Sequence, residues 1–433
     1  MIAKLLSVPS HERRTVASLF MYSALLATSY TCASTASDSL FLSRVGGDDL
    51  ATLFLASGVA TILVTSLWFL LVRRVSLAAS LRPSAAGLAV LTLLAWWFVP
   101  SFHSSVRVLG AIYLLTQVRG CVNAINVVSA MNELLGRRSS RHAWAVVGLG
   151  LPIAGIITGA VIGLEANIIQ VRDWLLVAAI LDIVICFTAP TEKLVLSPST
   201  ESMKNTVEVE MPVALSKKWV VKNPNHFRIW IAILVAAQVV VLTVVTFDWK
   251  IAVSEYYEAS EQGAVRYFGI FYCCVGFASL IVQAMFTGKI ITHHGVRIPL
   301  MLMPLTFLVM SFLLAVGPGA LGAFVIASLA KSMDFWRRSV HDTALNVLYT
   351  ALRLKRRRGM IFVNGAVVKP LAEIGTAVYL VTGTIYSSNL FMVVAASCWS
   401  IAVIAVLKQV RAETVSPAER LKMMELLVSE EEA

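Results

Sequence analysis

The sequence predicts an all-α integral membrane protein of about twelve transmembrane helices in two pseudo-repeated six-helix halves. Three observations carry this: composition, the spacing of the apolar runs, and a repeat between the halves. Of 433 residues, 58% are hydrophobic and 14% charged, whereas a soluble chain carries about 25% charged residues. That balance excludes a soluble enzyme. The formal charge of +11 gives no case for nucleic acid, because the cations cluster in short loops between apolar segments. The six cysteines lie in apolar stretches without C-x-x-C spacing, so they are expected to be packed thiols, with no metal site and no cofactor.

Apolar runs of about 20 residues, the length that crosses a bilayer, fall near 15–37, 50–72, 85–102, 107–135, 142–163 and 174–190. Six more follow near 227–248, 265–287, 298–317, 320–350, 361–384 and 387–407. The resulting organisation is an N-terminal half (1–190), a polar linker (191–226), a C-terminal half (227–410) and an amphipathic tail (411–433). Of 36 Lys and Arg residues, 26 fall at the termini or in loops after even-numbered helices, and five fall on the opposite side. This asymmetry predicts both termini in the cytoplasm, with a bacterial inner membrane as the expected location.

The halves repeat in parallel. Ala130-Met131-Asn132-Glu133-Leu134-Leu135 matches Ala344-Leu345-Asn346-Val347-Leu348-Tyr349. Each is followed by a basic turn and then by Pro152-Ile153-Ala154-Gly155-Ile156 or Pro370-Leu371-Ala372-Glu373-Ile374. Two six-helix halves in parallel repeat are the architecture of the major facilitator fold. In that fold helices 1, 4, 7 and 10 line the central cavity, and here they hold most of the intramembrane charge.

Charge within the bilayer is costly and marks candidate function. In helix 10, Lys331, Asp334, Arg338, His341 and Asp342 share a stripe about 100° wide. Spacings of three and four predict the pairs Lys331–Asp334, Asp334–Arg338 and Arg338–Asp342. The stripe is either a binding surface or a helix-packing network, since both require the same residues. Helix 4 aligns Arg119, Asn123, Asn126 and Glu133 on one face; a buried guanidinium there needs a carboxylate or an anionic ligand. Asp38 at the end of helix 1 is either a solvated cap or a cavity carboxylate. Asp248 and Lys250 are either rim charges of a gate or interfacial residues, the latter favoured for Lys250. Lys369 and Glu373, four apart beside Pro370, are expected to pair. Asp182 stands alone in an apolar run and is expected to be a packing residue. The segment Gly288–Arg297 resembles the facilitator superfamily's loop G-x-x-x-D-R-x-G-x-R, with Thr292 at the acidic position.

Three stretches resemble the nucleotide transporter family, the ATP/ADP translocases of plastids and intracellular bacteria and their relatives. These are S-D-S-L-F-L-S-R-V-G (37–46), D-W-K with R-Y-F-G-I-F-Y (248–250 and 266–272), and S-V-H-D-T-A-L-N-V-L-Y with its basic run (339–358). Ser37 stands where the family has a basic residue, and Asn364 where it has an acidic one. The resemblance implies a facilitator-like fold and exchange of ATP for ADP. Together the residues predict an alternating-access carrier for an anionic or zwitterionic solute, not an enzyme. Arg119, Asn123, Asn126, Lys331, Asp334, Arg338 and Asp342 would bind the solute. Asp38, Glu133, Asp248, Lys369 and Glu373 would serve as gating or ion-pair groups. A proton-coupled carrier or lipid flippase, and a non-transporting scaffold that holds a protein partner through its termini, are the alternatives. Expected partners are a small solute and membrane lipids.

Overall fold

The computed structural model describes residues 13–72, 77–102, 105–134, 146–190, 217–257, 260–286, 290, 295–316, 319–349, 352, 360, 363–382 and 387–414. Residues 1–12, most of the linker, the basic run at 353–358 and most of the amphipathic tail lie outside these residues, as does most of the Gly288–Arg297 loop.

Among the described residues, twelve helices follow one another in chain order. The first half comprises α1 (Arg13–Arg44), α2 (Leu50–Val72), α3 (Leu77–Phe98), α4 (Val106–Leu134), α5 (Gly150–Glu165) and α6 (Asp173–Thr188). The second begins with α7 (Pro224–Tyr257), α8 (Glu261–Ile281, ending in a π-helical turn Val282–Phe286) and α9 (Arg297–Ala315). α10 is broken into Gly319–Ser332, a single turn Asp334–Trp336, a π-helical turn Arg337–His341 and Asp342–Tyr349. α11 opens with a π-helical turn (Asn364–Val368) before Lys369–Thr382, and α12 spans Ser387–Gln409. Nine of these are long and apolar enough to cross a membrane among the described residues; α6, α10 and α11 are too short or too interrupted to meet that test.

Two short strands, β1 (Lys217–Val221) and β2 (Val410–Thr414), pair antiparallel from Lys217↔Thr414 to Val221↔Val410. They join the chain entering α7 to the chain leaving α12. We call the end that holds Arg13 and this pair the terminal end, and the other the far end.

Within the first half α1 packs on α4, α5 and α6, and α3 on α6; within the second α7 packs on α10 and α12, and α9 on α12. Beside smaller contacts of α1 with α8 and with α7, two large contacts cross between the halves, α5 with α8 and α2 with α11. They are equivalent under the repeat, in which α2 corresponds to α8 and α5 to α11. The P-[IL]-A-x-I sequences therefore both lie on crossing helices. At the α5–α8 crossing the backbones touch: a Cβ added to Gly159 would lie 2.5 Å from Gly269 O and 2.6 Å from Cys273 N. Small residues at such a crossing exchange side-chain bulk for close backbone packing.

The apolar cores define the shape. At the terminal end each half has its own. One is built from Val16, Leu19, Leu81, Ala130, Met131 and Val146. The other is built from Phe227, Leu300, Phe307, Ala344, Leu345 and Trp399. At the far end one core spans both halves, joining Phe41, Leu50, Tyr113 and Trp174 to Trp249, Val253, Phe268 and Ala327. The halves are thus fused at one end and separately packed at the other. The repeated Ala130-Met131 and Ala344-Leu345 occupy equivalent places in the two terminal-end cores.

Candidate functional site

Among the described residues, three groups of charged side chains inside the bundle have different surroundings. The first is enclosed in the N-terminal half. Arg119 Nη1 lies 2.7 Å from Asp182 Oδ2, and both side chains are 1% exposed. Arg119 also donates to Ser29 Oγ and Thr92 Oγ1, while Ser29 donates to Asp182 Oδ1 at 2.6 Å. A guanidinium and a carboxylate removed from water persist only when their remaining hydrogen-bonding capacity is met, and the hydroxyls of α1 and α3 meet much of it. Asn123 Nδ2 donates to Leu26 O at 3.4 Å, and Asn126 Nδ2 to Ser84 Oγ at 3.0 Å. The polar face of α4 therefore points into its own half, toward α1, α3 and α6. Arg119, Asn123 and Asn126, expected to bind solute, are thus buried among side chains of their own half, and the lone Asp182 is the partner of Arg119. The side chain of Glu133 lies outside the described residues.

The second group joins the halves within the far-end core. Lys250 Nζ of α7 donates to Asp38 Oδ1 of α1 at 2.7 Å and to Tyr113 Oη of α4 at 2.9 Å. Its ammonium sits over the Tyr113 ring, 4.5 Å from the centroid, where the ring face attracts a cation. Lys250 is 3% exposed, so it is an inter-half pairing residue and not an interfacial one. Closer to the rim, Arg44 Nε meets Glu261 Oε1 at 2.6 Å, and Ser254 Oγ donates to Leu42 O at 3.1 Å. Asp248, two residues before Lys250 on α7, is half-buried, and its Oδ2 has no hydrogen-bond partner among the described residues.

The third group is the broken segment of α10, at mid-height. Asp334 accepts from Arg337 Nε at 2.9 Å and lies 3.5 Å from both Lys331 Nζ and Arg338 Nη2. Arg337 Nη1 also donates to Asp342 Oδ2 at 3.0 Å. From α7, Thr246 Oγ1 accepts from Lys331 at 3.0 Å, Gln238 Nε2 donates to Asp342 Oδ1 at 3.3 Å, and the Trp249 ring lies under Lys331. His341 is buried against Trp399 with Nδ1 3.3 Å from Asp342 Oδ1.

Two of the three expected pairs form, Lys331–Asp334 and Asp334–Arg338, but Asp342 pairs with Arg337 in place of Arg338. The cause is the π-helical turn. Its bond from Asp342 N to Arg337 O closes a five-residue step and brings together two side chains that ordinary α-helical spacing sets about 140° apart. Arg337, left out of the stripe by a 3.6-residue period, becomes the hub. Arg338 is left 56% exposed with one long contact, within electrostatic reach of Tyr30 on α1 of the other half. The cluster holds three cations, Lys331, Arg337 and Arg338, against the carboxylates of Asp334 and Asp342, so one positive charge is unmatched. Lys369 is exposed and Glu373 half-buried on α11; among the described residues no ion pair joins them.

No protein-family model and no curated protein matches the sequence. Solved structures do. A D-xylose–proton symporter superposes with a TM-score of 0.63 at 10% identity, covering 93% of this chain and 98% of that one. The nucleoside transporter NupG, as a D323A mutant, gives 0.60 at 12% identity over 91% and 99%. The xylose transporter XylE from E. coli, in an inward-open conformation, gives 0.59 at 12% over 95% and 99%. The chain is an integral membrane protein with the major facilitator fold of these carriers.

Proposed function

We propose that this protein is an alternating-access transporter for an anionic or zwitterionic solute, held at the broken segment of α10 with Arg338 as the leading contact. The observation that carries the reading is the charge imbalance of that cluster. Asp334 and Asp342 are already engaged by Lys331 and Arg337, which leaves the largely exposed Arg338 to meet an anion. A guanidinium suits carboxylate or phosphate recognition because its fork donates two parallel hydrogen bonds. The far-end pairs Asp38–Lys250 and Arg44–Glu261 would close one side of the pathway and part in the opposite state, with solute binding favouring one of the two openings. The Lys and Arg asymmetry supports a cytoplasmic terminal end.

A nucleotide is the first solute to try. Two of the stretches that resemble the nucleotide transporter family, 37–46 and 248–250, meet in the Asp38–Lys250 pair, and the third contains the second half of the α10 cluster. The experiment is ATP/ADP counterflow in proteoliposomes beside Arg338→Ala, followed by other carboxylates and phosphates. Uptake that needs internal solute and disappears in the variant supports the reading. Uptake of any solute unaffected by Arg338→Ala would remove the α10 cluster from the site.

A second reading, proton coupling, has support from the half-buried Asp248, whose Oδ2 has no hydrogen-bond partner among the described residues. In the proton-coupled case it is Asp248, rather than the paired Asp334 or Asp342, that exchanges protons. Uptake driven by an imposed pH gradient should then be lost in Asp248→Asn while counterflow survives.

A further inference from the structure

A cavity of about 370 Å³ opens at the terminal end on the outer side of the second half, between the start of α9 and the end of α12. Arg297 and Lys408 flank it, and Val296, Ile404, Leu407 and Val410 form its apolar wall. Both cations are exposed, and among the described residues neither has an ion-pair partner. Below the cations the surface of α12 turns apolar and outward: Ile404 is 42% exposed and Ile401 57%. The level matters. α9 begins and α12 gives way to β2 here, so this is where two membrane-spanning helices emerge from the hydrocarbon.

A paired positive rim above an exposed apolar groove, at the depth of the headgroups, is complementary to one kind of molecule. We propose that this cavity is a binding site for an anionic glycerophospholipid, its phosphate held between Arg297 and Lys408 and one acyl chain lying along Ile404 and Ile401 of α12. A free phosphate would satisfy the cations and leave the groove unused. A zwitterionic lipid would use the groove, but its own ammonium would oppose two fixed positive charges. Juxtamembrane cations each strengthen binding to anionic lipid about five-fold, so the pair gives a preference of about twenty-five-fold over a neutralised site.

Native mass spectrometry of the full chain in detergent, titrated with phosphatidylglycerol or with phosphatidylcholine of the same acyl chains, tests this. Wild type should retain one phosphatidylglycerol more tightly than phosphatidylcholine, and Arg297→Gln/Lys408→Gln should lose that preference. Lys222→Gln/Arg228→Gln removes two exposed charges from the same end and should keep it. Leu407→Trp fills the groove without changing charge and should weaken retention of the lipid. Equal losses in the two charge variants would mean a diffuse surface effect and would overturn the site. So would unchanged retention in both Arg297→Gln/Lys408→Gln and Leu407→Trp, or displacement of the lipid by millimolar inorganic phosphate.

Discussion

Arg337 and Arg338 are neighbours in sequence and opposites in circumstance: one is consumed by two carboxylates and the other is left facing open space. The same contrast separates Arg338 from Arg119, and it makes a clean experiment. Arg119→Ala strands Asp182 in the apolar interior, a loss of about 3–5 kcal/mol, and should sharply lower the yield of monodisperse protein in detergent. Arg338→Ala removes an exposed side chain whose ion pair contributes at most about 1 kcal/mol; it should purify like wild type and fail in counterflow. A size-exclusion profile beside a transport assay distinguishes the two. Lys250→Met should behave like Arg119→Ala because Asp38 then lacks its cation. Adding Asp38→Asn should recover much of the folded yield, since removing both charges is far less costly than removing one; no recovery in the double variant would mean that Tyr113 and the surrounding core, not the charge pair, set the stability. Sequence spacing located Arg119, Asp38 and the α10 charges because ionisable groups stand out in apolar runs. It could not say that Arg119 meets Asp182, because periodicity fixes which face of a helix a residue occupies and not which helix lies opposite.

At the level of single elements, long apolar runs bounded by basic turns made most of the helices legible, and the Pro-Ile-Ala and Pro-Leu-Ala repeats marked the two crossing helices. The π-helical turns in α8, α10 and α11 were not legible as such. In α11 there is a visible cause: Pro370 has no N–H to give and crowds the preceding turn, so the helix widens just before it. In α10 the widened turn contains no proline, and the Arg337–Asp342 ion pair that it permits is its evident compensation. The glycines of α5 and α8 yield a sharper prediction. Gly159→Ala drives a methyl into backbone atoms that cannot rotate away, and should cost about 1–3 kcal/mol as overpacking, visible as a lower melting temperature in detergent. Gly58→Ala, at the equivalent α2–α11 crossing, meets the side chain of Ile374 at 2.9 Å. That side chain can repack, so the loss should be smaller. Equal losses at the two positions would argue that the crossings are not held by backbone proximity.

For the molecule as a whole, the parallel repeat in the sequence carried the architecture, while the single shared core at the far end emerged only in three dimensions. It is assembled from residues as distant as Phe41 and Ala327, and no local pattern indicates that one end of the bundle is closed. Arg44 and Glu261 bridge that end, so replacing both by cysteine and joining them with a short bifunctional reagent should halt solute exchange, with activity returning when a cleavable reagent is reduced. Continued exchange in the linked protein would mean that the far end need not open. The β1–β2 ladder has a different consequence. Because it ties the entry of α7 to the exit of α12, the second half is a closed circuit, with both ends of its chain fastened at one point. A cut between residues 190 and 217 leaves that circuit whole. Two separately produced polypeptides, meeting there like the halves of a hinge without its pin, should still find each other through the α5–α8 and α2–α11 crossings and reconstitute the bundle.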